Sequence, residues 1–316
     1  MVVNSFPNLA RRFYRWYRNG AIRIGHSLVR RGLGLCIAKE QEVQLRSGLK
    51  MALDMTKGNQ AGIFWDDGDA EVHLSWAIRE LVPLAGLFVD CGANCGLMGL
   101  LARQYRRARV IFFEPHPRLA RTVETNIRLN NFAEQCELIE AAVSDTSGSI
   151  VFYEHSQADG SHSMHADWAK ELEGELRPIG KVRCVTLREI VEEKKLGRID
   201  FLKIDTEGND YAVLKGLGEY LAPSFLSVIC MEMCRDREAT IELMQARGYT
   251  GYVPAVKRRH DTHRLQRLYE AGGRVSFFKP LVPAAEPEEV VLWCGTGSPT
   301  EVYLKELSSA AHDSGI

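Results

Sequence analysis

No apolar run in this sequence approaches the roughly 18 residues that a helical membrane span needs. The longest, around Leu81–Val89, is broken by Pro83. The first residues hold no apolar core of about 7–15 residues followed by a small-residue cleavage site, so a secretory leader is not expected. The eight cysteines contain no CxxC pair, and several sit inside apolar runs. That spacing argues against a disulfide scaffold and for buried reduced thiols, and the expected location is the cytoplasm. A GxGxxG loop, an internal repeat and a low-complexity tract are also missing. Residues 1–38 lack Asp and Glu altogether yet hold seven arginines: Arg11, Arg12, Arg15, Arg18, Arg23, Arg30 and Arg31. The formal net charge of the whole chain is −1, so the remainder is acidic. Outside the first 31 residues no basic patch is interleaved with aromatics, and a nucleic-acid partner is not expected.

With 316 residues, 45% hydrophobic and 26% charged, the chain suits one large or two small domains with a full core. Residues 8–31 read as a basic helix with Leu9, Phe13, Trp16, Tyr17, Ile24 and Leu28 near one stripe. Two placements stay open: packed on the body with arginines in solvent, or peripheral on an anionic membrane or lipid-linked carrier. Residues 41–54 read as a hairpin turning at Ser47-Gly48, and a helix over about 71–81 stops at Pro83. From Gly86 onward short apolar runs alternate with helix-length segments. The runs are 87–90, 109–114, 136–143, 199–205 and 224–233; a polar hairpin-like insert, 149–155 and 182–190, interrupts them. Further apolar runs lie at 274–278 and 289–294, and KRRHDTHRLQR (257–267) reads as a solvated helix face. Such alternation predicts an α/β fold with a doubly wound, mainly parallel sheet. The expected organisation is an N-terminal helix-and-hairpin extension over 1–70, a main domain over 71–295 with a lid-like insert near 153–180, and a tail over 296–316.

In sheets of this kind ligands sit outside the C-terminal strand ends. There the sequence places Asp90, Glu114, Ser144-Asp145, Asp205, Glu207 and Glu232. A rim so rich in acid suits a cation or hydroxyl groups and repels phosphate. The loop Asp90-Cys91-Gly92-Ala93-Asn94-Cys95-Gly96 does not fit a dinucleotide fingerprint, and Asp90 would stand near a pyrophosphate. S-adenosylmethionine carries no phosphate. Gly92 and Gly96 let the backbone approach it, Asp90 reaches its amino-acid end directly or through water, and Glu114 takes both ribose hydroxyls. An acid like Glu114 also occurs in nicotinamide enzymes, so a dehydrogenase stays as the alternative, as does a binding module without catalysis. Phe112 and Phe113 read as core.

Four stretches in this order, LFVDCGANCG, VIFFEPHP, NNFAEQCELIEAAVSDTSGSIVFY and IDFLKIDTEGNDYAVLKG, resemble the FkbM family of S-adenosylmethionine-dependent methyltransferases. The resemblance covers about residues 70–295. It implies the Rossmann-like class I methyltransferase fold with a seven-stranded sheet, and O-methylation of a hydroxyl on a sugar, glycan or natural product. It implies cofactor contacts at Asp90, Gly92, Asn94, Gly96, Glu114, Ser144 and Asp145, and a catalytic or structural role for Asp205, Glu207 and Gly208. Cys91 and Cys95 replace aliphatic residues more usual in the family. The arginine-rich N-terminus and the segment beyond 295 fall outside its pattern.

Methyl transfer from a sulfonium is an in-line displacement in which positioning supplies most of the rate. A hydroxyl is a weak nucleophile, so a base is worth about 10²–10⁴-fold. Asp205 is the first choice for base or hydroxyl orienter. Glu207 is the second, or else shapes the strand-to-helix turn. Glu232 completes a carboxylate cluster that also suits Mg²⁺, an ion the reading does not favour. His155, His162 and His165 fall in the lid-like insert and read as solvated loop histidines, with a lid base as the alternative. The His162/His165 and His260/His263 pairs lack a cysteine at zinc spacing. His116 is expected to flank the cofactor.

Overall fold

A computed structural model describes residues 39–68, 71–155, 161–167, 175–233, 235–255, 265–266, 269–270, 272, 277–281 and 290–313, with side chains as far as 308. The basic helix expected over 8–31, most of the 257–267 segment, His260 and His263, and Cys36 and Cys234 lie outside these residues.

A hairpin opens the described chain: β1 (Glu40–Gln44) runs antiparallel to β2 (Lys50–Asp54) around a turn with Gly48 at φ 89°. Then come α1 (Gly58–Asp66) and α2 (Val72–Leu81). Next are β3 (Leu87–Cys91), α3 (Leu97–Arg106), β4 (Arg109–Phe113), α4 (Pro117–Leu129) and β5 (Cys136–Ile139). A small sheet follows, made of β6 (Ala142–Val143), β7 (Gly148–His155) and β8 (Leu176–Val185). The chain continues through α5 (Leu187–Glu193), β9 (Ile199–Ile204), α6 (Asp210–Lys215), β10 (Leu226–Glu232), α7 (Arg237–Ala246) and β11 (Tyr249–Pro254). It ends with β12 (Phe278–Pro280), β13 (Val290–Gly295) and α8 (Pro299–Asp313).

The main sheet among the described residues has the order β12-β11-β13-β10-β9-β3-β4-β5. Five strands, β10 to β5 in that order, are parallel, while β13 and β11 run antiparallel at the far side. After β3 the chain moves outward through β4 and β5, then returns to the other side of β3 as β9. The reversal sets a switch point between β3 and β9, where a crevice opens beyond the strand ends. The central strands read as near-continuous apolar runs because both faces are covered. Phe88 of β3 stacks on Phe201 of β9 at 5.2 Å on one face, and Val89 and Leu202 pack into the other. Helix α3 lies so close to β4 that a Cβ at Gly99 would run into the Phe112 ring.

The fold class is the expected one, and its departures are local. An eighth strand, β12, adds three residues to the antiparallel edge and ends at Pro280, a residue that an edge tolerates. CELIEAAV is not one strand: the N–H of Ala141 turns back to Ile139 O (2.9 Å), so β5 stays in the main sheet and β6 joins the small one. VRCVTLREI is not one strand either. Thr186 and Glu189 form a capping box that starts α5, a Thr-x-x-Glu signal present in the sequence. The N-terminal hairpin is tied into the core. Asn126 of α4 accepts the Ala52 N–H (2.7 Å) and donates to Cys95 O (2.9 Å), and Asn130 bonds both backbone groups of Lys50. The six described cysteines are all buried thiols rather than disulfides. No helix among the described residues is long and apolar enough to cross a membrane.

Candidate active site

Beyond the ends of β3, β4 and β9 lies a cavity of about 380 Å³. The β3–α3 loop forms its floor. Gly92 (φ 76°) is the tightest point: its N–H donates to Phe113 O (3.0 Å), its carbonyl accepts from Lys203 Nζ (2.8 Å), and a Cβ would run into the Asp205 carbonyl. Asn94 (φ 54°) and Gly96 (φ 86°) also take left-handed backbone, which curls the loop into the first turn of α3.

Glu114 follows β4 and faces the cavity at 4% exposure. Its carboxylate is aimed by two backbone donors, Asn94 N–H (2.7 Å) and His116 N–H (2.9 Å). Burial pushes its pKa up to about 7, and those two hydrogen bonds hold it back. Asp205, Glu207 and Glu232 line the same cavity from the ends of β9 and β10, and Gly92 and Asn94 line it from the β3–α3 loop. Glu207 is also a turn former: it sits at φ 53°, Gly208 follows at φ 90°, and its carbonyl accepts the Ser163 hydroxyl (2.8 Å). The turn-shaping reading of Glu207 thus matches its backbone, and the residue also borders the cavity.

Three of the residues expected at the cofactor stand elsewhere. Asp90 is 0% exposed and does not line the cavity. It lies beneath the loop, where its carboxylate accepts the Gly99 N–H (3.1 Å) and faces Lys203 Nζ at 3.5 Å. Direct contact with a ligand is thereby replaced by support of the loop. Ser144 and Asp145 also stay out of the cavity. Asp145 pairs with Lys215 (2.6 Å), and Ser144 O presses on Gly216, which ties the small sheet to α6. The bend at Ala141 carries the chain past the crevice three residues early, so Ala141, Ala142 and Val143 line it instead.

Lys203 is a residue that reading by motif passed over. It lies directly across from Asp90 in the β3–β9 register and reaches Asp205 at 3.0 Å. Burial works against its charge, but Asp205, Asp90 and Glu71 hold its pKa well above the usual lysine range. Burial pushes Asp90 upward too, and the Lys203 ammonium is the main force keeping it ionised. The signal was a lysine inside the apolar strand IDFLKI, where only a buried counter-charge makes it tolerable. Glu71, at the start of α2, and Asn59 and Ile63 of α1 close the cavity from the N-terminal side.

Two of the three histidines of the insert are not solvated, and His165 is half-buried. His155 and His162 are buried, and the His162 ring stacks on His116 at 4.7 Å and lines the cavity. His116 caps α4 as well, which places it beside the Glu114 turn. Ligand atoms of His116, His162 and Glu154 come within 4.8 Å of one another, the distance range of a metal site, and no other such trio occurs among the described residues. The hydrogen bonding speaks against a metal there. His116 Nδ1 accepts the Arg118 N–H (3.2 Å) and His162 Nδ1 accepts the His155 N–H (3.0 Å). Both rings spend Nδ1 on a backbone N–H, so only Nε2 of each remains, and His116 Nε2 already faces Glu154 Oε1 at 3.6 Å. Asp205, Glu207 and Glu232 share a cavity wall without converging into a trio of that kind.

A family profile described as the methyltransferase FkbM domain matches residues 90–251, just over half of the 316-residue chain. Methyltransferase sdnD of Sordaria araneosa is 27% identical over 162 residues, a match covering 44% of this chain and 62% of that protein. Methyltransferase 1 of Beauveria bassiana is 30% identical over 188 residues, 53% of this chain and 73% of that protein. The chain therefore spans less than two thirds of the first relative. Among solved structures, M. jannaschii TYW2 in complex with AdoMet aligns at a TM-score of 0.41 and 14% identity, over 82% of this chain and 86% of that one.

Proposed function

The chain belongs to the FkbM family of methyltransferases, and on that footing we propose that it moves a methyl group from S-adenosylmethionine to a hydroxyl of a sugar, glycan or other natural product. The observation that carries the cofactor reading is Glu114, held by two backbone N–H groups at the end of β4 and aimed into the cavity. A carboxylate so fixed matches the paired hydroxyls of a ribose. A pyrophosphate fits poorly, because the walls carry Glu71, Asp205, Glu207 and Glu232. The cavity's cation, Lys203, is already engaged by Asp90 and Asp205. The same walls favour a sulfonium, whose positive charge is lost on transfer.

In this reading the apolar patch of Phe113, Leu119 and Ala141–Val143 takes the adenine, Glu114 takes the ribose, and the Gly92–Asn94 backbone takes the amino-acid end. The cofactor supplies an electrophilic methyl. Asp205 is fixed by Lys203 and orients the acceptor hydroxyl, while Glu207, Glu232 and His162 border the acceptor space. Alignment is the main source of rate. Incubating the full chain with labelled cofactor and a panel of hydroxylated acceptors tests this: products heavier by one CH2 at oxygen are expected. Methylation confined to amines or carbon would overturn the hydroxyl assignment.

Glu114 gives a pH prediction. Ribose hydroxyls donate to the ionised carboxylate, and this group titrates at about 7. Affinity for S-adenosylhomocysteine is expected to fall about tenfold from pH 8 to pH 6, the change in ionised fraction for such a group. Glu114→Gln should bind weakly and with a flatter profile in calorimetric titrations. A wild-type affinity independent of pH would contradict the role given to Glu114.

A further inference from the structure

Glu71 lies outside the matched segment 90–251, on the residue that precedes α2, and none of the motif readings reaches it. It nevertheless lines the cavity together with Lys203, Asp205 and Glu232. What holds each carboxylate sets its chemistry. Glu114 spends both oxygens on backbone N–H groups. Asp205 is already engaged by the Lys203 ammonium at 3.0 Å. The Glu71 carbonyl accepts the Ser75 N–H (2.9 Å), but its carboxylate makes no hydrogen bond or ion pair among the described residues, so the carboxylate oxygens are open to a ligand.

We propose that Glu71 is the proton acceptor of the transfer step, an assignment that rests on the hydroxyl-methylating function above. A lone pair of the acceptor oxygen forms the new O–C bond. The C–S bond breaks and its electron pair stays on sulfur, leaving a neutral thioether. The hydroxyl proton passes to the Glu71 carboxylate, directly or through one water, and the product ether leaves uncharged. Glu71 is an exposed residue at the cavity's edge, which gives the proton a way out to solvent.

The surroundings suit a base that works near neutrality. Burial pushes the Glu71 pKa up to about 7; Lys203 pulls it down, and Asp205 and Asp90 push it up. The charged and titratable groups around it are Lys203 and Asp205 from β9 and its end, Asp90 from β3 and Cys230 from β10, while Glu114, Glu207 and Glu232 line the same cavity.

The test uses the full chain, S-adenosylmethionine and, as probe, a pool of methyl glycosides, oligosaccharides and hydroxylated small natural products. Glu71→Gln is expected to lower kcat about 10²–10⁴-fold. KM and the S-adenosylhomocysteine affinity at pH 8 should stay within about twofold, and the acid limb near pH 7 that wild-type kcat shows at saturating cofactor, where the Glu114 effect on binding drops out, should vanish. Glu71→Asp should restore part of the rate, which a loss of folding would not permit. A kcat within about threefold of wild type overturns the proposal. So does a fall in S-adenosylhomocysteine affinity that matches the fall in kcat, since Glu71 would then be a cofactor ligand. If wild type itself methylates no hydroxyl of the pool, the underlying function fails, and the assignment of Glu71 falls with it, a result visible without any variant.

Discussion

Gly92→Ala is expected to abolish detectable S-adenosylhomocysteine binding, a loss of at least about 100-fold. Two independent constraints meet at this residue. Its φ of 76° is a left-handed conformation that costs an L-residue roughly 1–2 kcal/mol. The larger constraint is steric: the added Cβ would occupy the place of the Asp205 carbonyl oxygen. Backbone on both sides is fixed, by the Gly92 N–H to Phe113 O, by Lys203 to Gly92 O, and by the Asp205 N–H to Cys91 O (3.1 Å). No flexible side chain can yield, so the loop must leave the strand ends, and the cavity floor goes with it. Gly96→Ala is the internal control. Its φ is 86°, but its Cβ would meet only Val123 and Leu100 side chains at 3.4–3.6 Å. It should suffer the conformational cost alone, about 30-fold in binding at most. Calorimetric titration of both variants decides the matter, with circular dichroism to confirm folding. Equal losses would show that the contact with Asp205 is not the determining feature.

Lys203→Met is expected to cost about 3–5 kcal/mol of stability, the penalty of leaving a buried charge without its partner. Asp90 is fully buried, and Lys203 is its counter-ion. Methionine matches the length of lysine and adds no cavity, so the loss reads the charge and not the packing. Asp90→Asn in the Lys203→Met background should recover a large part of the deficit, because removing both charges removes the uncompensated one. The pH dependence has a definite sign. Burial raises the Asp90 pKa, and without Lys203 that rise goes unopposed. A carboxyl raised in the folded state supports folding below its unfolded pKa and loses that support as pH rises through the folded value. The deficit of Lys203→Met should therefore be largest at pH 7–8 and shrink towards pH 5. Urea titrations at both pH values measure it. A deficit under about 1 kcal/mol at pH 7.5 would mean that the Asp90–Lys203 pair is not needed.

The parts of the fold that were legible in the sequence are those with local signals. Apolar runs ending in an acid, such as LFVD and RVIFFE, mark β3 and β4 because parallel strands buried on both faces stay apolar to their C-terminal ends. Pro83 and Pro117 mark a helix end and a helix start for backbone reasons alone. Glu114 was legible for the same reason: strand, acid and proline sit side by side. The pairing of Asp90 with Lys203 was not, since it joins residues on strands far apart in the chain and depends on register. Asp90 was therefore assigned to the ligand when its partner lies behind the loop. Ser144 and Asp145 were misplaced by one local bend at Ala141, which no composition signal announces. Glu71 and the His116–His162 stack are products of packing between distant segments, and neither element carries a pattern that points at the other.

The most direct measurement is isothermal titration of the full chain, in parallel, with S-adenosylhomocysteine and with NAD at pH 8. Saturable binding of S-adenosylhomocysteine, abolished by Gly92→Ala, with no heat from NAD, is the predicted result. Saturable binding of NAD with none of S-adenosylhomocysteine would contradict the assignment of this crevice to a sulfonium cofactor.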